Sequence, residues 1–207
     1  GIGEGKVTYR LRDWLLSRPL ADDSEAAATW QAVLAPHRFD LLPQMTAATA
    51  AERRHADWLV WHALWHDVGK PATRTAEALG DGRVRYRFFD HDNAGAAMTA
   101  RRLDWLKFSR NEVQLAEKVV GAHMRPHHLD ASFGADPISR RACYRFFRDT
   151  GGQQREHAAG IDTVMLALAD YQGIYAVSPP PNWQGYVRHL GELIAYALAP
   201  DGFHETR

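Results

Sequence analysis

The chain has 207 residues, 45% of them hydrophobic and 24% charged, with 25 basic and 25 acidic side chains. That suits one globular domain of ordinary size, or two very small ones, with a core that needs no disulfide staples. The balanced charge excludes a strong net field toward nucleic acid or a membrane, and the single Cys143 excludes a disulfide framework and a cysteine zinc finger.

The charge is not evenly spread. Residues 71–150 hold 14 basic and 10 acidic side chains, and residues 151–207 hold 3 and 6. A mildly basic middle is compatible with an anionic substrate. No apolar run approaches the ~18 residues of a bilayer span. With no signal peptide at the start and one cysteine, we expect a cytoplasmic protein with no membrane partner. The unusual count is histidine, at 11. Clustered His and Asp point to a nitrogen/oxygen metal site.

Gly1-Ile2-Gly3-Glu4-Gly5 reads as a flexible lead or a remnant of cloning. We assign residues 1–20 to that lead, 21–200 to a single helical domain and 201–207 to a tail. Asp22-Asp23-Ser24 offers N-caps for a helix through Leu34. Pro36 breaks it, and a second helix is expected over 37–50. Residues 56–68 are apolar on nearly every side, which marks a central buried helix. Gly69 at C′ and Pro71 give it a stop.

Asp81-Gly82 followed by the alternation Arg83-Val84-Arg85-Tyr86-Arg87-Phe88 predicts a short β-hairpin, its first arm near 73–76. A helix is expected over 93–106. Ser109 with Glu112 forms a capping box for a helix ending near Met124. Asp136-Pro137 reads as an N-cap and N1 pair for a helix to Asp149, ended by Gly151-Gly152. Helices over 155–175 and 183–199 follow, separated by the stiff run Ser178-Pro179-Pro180-Pro181-Asn182. The fold class is all-α with one small hairpin.

His66-Asp67 is the sharpest local feature. An Asp at the end of a buried helix is costly unless something neutralises it, and a metal ion does so. The bland alternative is a C-terminal His beside an Asp that caps the next turn. His91 at a helix start, His123 at a helix end and Asp170 on an apolar helix each have bland readings alone. Together with the doublet they are four positions on four helices, as a metal cradle inside a bundle requires.

The stretch 64–126 resembles the HD superfamily of metal-dependent phosphohydrolases. It is more closely similar to the HD domain of bacterial tRNA nucleotidyltransferases of the CCA-adding and poly(A) polymerase family. The pieces are Leu64-Trp65-His66-Asp67-Val68-Gly69-Lys70-Pro71, Phe89-Asp90-His91-Asp92, Leu106-Lys107-Phe108-Ser109 and His123-Met124-Arg125-Pro126. The segments 140–148 and 166–170 fit the same domain, so the likeness covers about residues 30–200. It implies a helical bundle in which His66, Asp67 and Asp170 ligate metal and Asp67 bridges two ions. It also implies that His91 and His123 bind a second ion or the substrate phosphate, and that Lys70 lies near that phosphate. The family's set begins with an earlier His. His37, His55 and His62 are the candidates; we expect His37, and read His62, one turn before His66, as a packed core histidine.

The implied activity is hydrolysis of a nucleotide phosphomonoester or cyclic phosphodiester, or of an RNA 3′-end phosphate. Hydroxide on one or two divalent ions (Mn, Fe, Co, Ni or Mg) would attack phosphorus. Lys70 and Arg125 would stabilise phosphoryl charge, and His91 or His123 would position the phosphate or protonate the leaving oxygen. Asp90-His91-Asp92 lacks the Gly-Ser turn of a nucleotidyltransferase head, so we expect no nucleotide addition. The competing reading is a non-catalytic RNA-binding or accessory domain with a degenerate site.

The remaining features read as structural. His127-His128 looks like a second metal pair, but after Pro126 it is expected in a loop, and His157, His189 and His204 as scattered structural or exposed residues. Trp58, Trp61, Trp65, Trp105 and Cys143 read as core. The Arg83-Arg85-Arg87 ladder reads as a solvated strand face, or else as a contact to an RNA backbone.

Overall fold

The computed structural model describes residues 31–50, 53–150, 157–175 and 181–199. The proposed lead, the caps at 22–24, Gly151-Gly152, most of the proline run, His204 and the tail lie outside the described residues. Residues 31–34 are helical, and Pro36 sits in a 3-10 turn, Ala35–His37.

Helix α1 (Arg38–Thr46) stops earlier than the sequence predicts, because 48–50 is extended. Strand β1 (Ala48–Ala50) pairs antiparallel with β2 (Arg53–Arg54), a ladder that no alternation announced. Helix α2 (His55–Trp65) opens with the Arg54 amide donating to Asp57 Oδ2 at 3.1 Å. Gly69 does not act as a left-handed stop. Its φ is −76°, and it opens the single turn α3 (Lys70–Thr73). What demands glycine there is proximity: a Cβ would fall 2.1 Å from the His91 carbonyl oxygen and 2.7 Å from the Gly95 amide.

The hairpin forms as expected, β3 (Thr75–Ala78) against β4 (Val84–Arg87) in the register Thr75–Arg87, with Gly82 at φ +82° in the turn. Asp90, at φ +62°, swings the chain from the hairpin into α4 (His91–Trp105), two residues before the expected start. The Ser109–Glu112 capping box opens α5 (Arg110–Ala122).

Two expectations are corrected here. His127-His128 is helical, in α6 (Arg125–Phe133), because a Pro in the first turn has no amide the helix needs. Helix α7 (Arg140–Thr150) starts three residues after Pro137. Ser139 Oγ accepts the Ala142 amide at 3.3 Å, and the Ile138 amide donates to Glu192 Oε2 at 2.8 Å, which holds 138 outside the helix.

Helix α8 (His157–Tyr175) is the axis of the bundle, packed against α2, α5, α6, α7 and α9 (Trp183–Leu198). Ile161, Val164, Met165 and Leu168 of α8 join Leu41, Leu59, Phe146, Phe147, Leu190 and Leu193 in one core. Each such side chain contributes about 1.5–3 kcal/mol by leaving water. Trp58 and Cys143 are core, as expected, but Trp105 is 65% exposed. His189 is buried and structural: its Nδ1 lies 2.8 Å from Asp130 Oδ1 and its Nε2 2.9 Å from the Asp136 carbonyl oxygen. Among the described residues no helix is long and apolar enough to cross a membrane.

Candidate metal centre

His66 and Asp67 leave α2 where its ladder ends, so adjacent side chains can converge. His91 enters from the first turn of α4, His123 from the C-cap of α5 and Asp170 from α8. Three imidazoles are fixed in the same way. His66 Nδ1 donates to the Ala63 carbonyl at 2.9 Å, His91 Nδ1 to Phe88 at 2.8 Å and His123 Nδ1 to Val120 at 2.6 Å. Each bond reaches back three residues, commits Nδ1 as the donor and turns Nε2 inward.

The inward atoms fall into two groups joined by Asp67. His91 Nε2 lies 3.2 Å from His123 Nε2, and Asp67 Oδ1 lies 3.5 and 3.9 Å from the two. Asp67 Oδ2 is 3.4 Å from His66 Nε2, which is 3.7 Å from Asp170 Oδ1. Lys70 Nζ also donates to Asp67 Oδ2. The ligand atoms of Asp67, His91 and His123 lie within 4.8 Å of one another, a spacing one divalent ion can span.

Electrostatics agree with geometry. Burial would push the His66 imidazole down, but its bonds to Asp170 and Asp67 and their charges outweigh that and carry it up to about 10. Burial would raise Asp67, yet His66 and Lys70 hold it far below the usual carboxylate range. His123 is pushed down to about 4, by burial first and then by the charges of His66 and His91. It is therefore a neutral imidazole at pH 7, the form that ligates metal. The donor set of imidazole and carboxylate, and two Nε2 atoms held nose to nose, fit a divalent cation.

The centre floors an open cavity of about 730 Å³. Lys70, Asp170, the hairpin residues Arg85 and Arg87, and His127 line it with Asp67, His91 and His123. His127 is the residue the sequence reading weighed as half of a second metal pair and set aside as loop. Its Nε2 lies 3.9 Å from Asp170 Oδ2 and 3.3 Å from the Tyr186 hydroxyl oxygen, with which it shares a hydrogen bond, and its ring stacks on Tyr186 at 4.9 Å. Its spacing of four from His123 was the available signal.

Other candidates lie elsewhere. His37 sits in the 3-10 turn against α1 and α9, not among the residues lining this cavity. His62 and His55 both turn to the buried Asp162, at 3.4 and 3.2 Å from its Oδ2, so His62 is a core histidine. Arg125 donates to Asp149 Oδ2 at 3.0 Å and lines a neighbouring cavity of about 300 Å³. In the hairpin, Arg85 and Arg87 both pair with Glu77 Oε2, at 2.9 and 2.7 Å.

The HD domain family model matches residues 40–171. The chain belongs to the HD domain family. That superfamily comprises metal-dependent phosphohydrolases. Over 86 residues, 41% of the chain, it is 38% identical to a CC-adding tRNA nucleotidyltransferase of Thermus thermophilus. Over 73 residues, 35% of the chain, it is 41% identical to an A-adding tRNA nucleotidyltransferase of Deinococcus radiodurans. The matched stretches span only 17% and 16% of those relatives.

Proposed function

We propose that this HD domain is a metal-dependent phosphohydrolase acting on nucleotide phosphomonoesters or cyclic phosphodiesters. The observation that carries the reading is the inward convergence of the His66, His91 and His123 Nε2 atoms on Asp67, in a cavity that also presents Lys70. A divalent ion, when bound by these residues, would supply Lewis acidity toward the phosphoryl oxygens and lower the pKa of a coordinated water toward neutrality. Asp67 offers one oxygen to the His91–His123 pair and the other to the His66–Asp170 side, so it is the residue through which two ions would share a ligand. Lys70 neutralises Asp67 and stands beside the place where phosphoryl charge would develop. The Nδ1–H bonds aim the three Nε2 atoms inward; His123 Nε2 is already free of a proton at neutral pH, and His66 has to give up the proton it shares with Asp67 and Asp170 when an ion binds.

The test is hydrolysis of 2′,3′-cyclic nucleotides and nucleoside monophosphates with Mn, Co, Ni or Mg, beside Asp67→Ala. Metal-dependent turnover that disappears in the variant supports the reading, and equal rates for the two proteins overturn it.

A second reading is favoured by the names of the relatives. As a tRNA nucleotidyltransferase-like accessory domain, the bundle would bind RNA through its basic middle segment without turnover. Salt-sensitive RNA binding that is indifferent to metal would support that reading over the first.

A further inference from the structure

Three large apolar side chains stand exposed around the mouth of the metal-centre cavity. Phe89 is 68% exposed, Ile174 57% and Tyr86 48%, and all three line it. Exposed apolar side chains gathered on one concavity mark a binding site, where single ones would not. Here they belong to the same concavity as Asp67, His91 and His123. Phe89 is also tied rigidly to the centre. It lies two residues before His91, so their Cα atoms are at most about 7 Å apart. The left-handed Asp90 stands between them, and of the two Phe89 is exposed and His91 buried. Cations back the rings: the Arg74 guanidinium lies 3.7 Å from the centre of Tyr86, and that of Arg87 5.5 Å from Phe89.

We propose that Phe89, with Tyr86, is a stacking platform for the nucleobase of a nucleotide whose phosphate reaches the Asp67–His91–His123 centre. The inference rests on the nucleotide-ester reading above and adds to it the residues that would hold the base. The lining selects the occupant: Lys70, Arg85 and Arg87 share the walls with Asp67, Asp90, Asp92 and Asp170, a mixed lining that suits a phosphate bound through a divalent ion, and the exposed aromatic rings suit a base. A base also stacks on a ring without sequence-specific hydrogen bonds, so the platform accepts any nucleobase.

The experiment compares two probes that share one phosphoryl head and resist hydrolysis, adenosine 5′-thiomonophosphate and inorganic thiophosphate. Each is titrated calorimetrically in the presence of Mn. The intact protein is expected to bind the nucleotide at least about tenfold more tightly than thiophosphate. Phe89→Ala is expected to erase most of that preference with thiophosphate binding unchanged, and Phe89→Trp to keep it. Phe89 is exposed, so the variants fold; circular dichroism checks this. Equal affinity for the two probes, or an equal loss for both in Phe89→Ala, overturns the platform. Parallel turnover assays separate the two ideas. Turnover without nucleotide preference sinks the platform alone, and preference lost in Phe89→Ala without any turnover supports the platform and sinks hydrolysis.

Discussion

His91 and His123 meet Nε2 to Nε2 at 3.2 Å. Each has already given its Nδ1 hydrogen to a backbone carbonyl, so two lone pairs face one another inside the protein. That arrangement is repulsive until a cation enters between them. A proton can serve, and so can a divalent ion drawing on Asp67.

Metal should therefore stabilise the fold. At a Mn concentration a hundred times the Kd, the gain is about 2.7 kcal/mol, which for a domain of this size is a rise in Tm of about 5–10 °C. His91→Ala and His123→Ala should each abolish most of the rise. A thermal melt with Mn against one with EDTA reads it, and an undiminished rise in both variants would exclude this pair as ligands.

The same melt distinguishes the other histidines. His37→Ala should leave the metal-induced rise intact, because His37 sits against α1 and α9. His127→Ala should reduce it, through the lost partner of Asp170. His62→Ala should lower Tm with and without metal alike, because it strips the buried Asp162 of a neighbour, at a cost of about 3 kcal/mol. A metal response lost in His37→Ala would restore His37 as the first ligand.

Gly69→Ala should be damaging although its φ suits any residue. The new methyl collides with the backbone of α4 at His91 and Gly95. Backbone cannot step aside as a side chain can, so α3 and α4 must separate. We expect a loss of about 3 kcal/mol, a fall in Tm on the order of 10 °C, and weakened metal binding, since His91 moves with the helix. A Tm within 2 °C of the parent would refute the close approach.

Glu112 gives the fold an acid limit. It accepts a bidentate pair from Arg53, Nε at 2.6 Å and Nη2 at 2.8 Å, together with the Ser109 hydroxyl and amide. Burial would raise its carboxyl, but Arg53 and Ser109 hold it down to about 2, against an ordinary value of 4.5. Between those values the unfolded chain binds the proton more readily than the folded one. The stabilisation is complete above pH 4.5 and disappears as pH falls through about 2. Urea melts of the parent and of Glu112→Gln should differ at pH 6 and converge toward pH 2.

The helical class, the Ser109–Glu112 box, the 75–87 hairpin and the His66-Asp67 doublet were legible because each rests on neighbours in the chain: periodicity, caps, turn residues and a charge at the end of an apolar helix. The β1–β2 ladder was not, since Thr49 and Arg53 are held by Glu112 some sixty residues away. Gly69 was assigned the right place for the wrong reason, because only packing reveals that α4 lies against it. The metal-centre candidates His91, His123 and Asp170 could be named from sequence, but not the direction of their nitrogens, which three backbone carbonyls decide. The directions of His127 and Arg125 were not legible, for one cause. The sequence leaves open whether residues after Met124 form loop or helix, and the α6 turn sends His127 toward Asp170 and Arg125 toward Asp149. Local chemistry thus chose the residues able to ligate, and the tertiary fold chose which of them share a cavity, because convergence from four helices is set by how the helices pack.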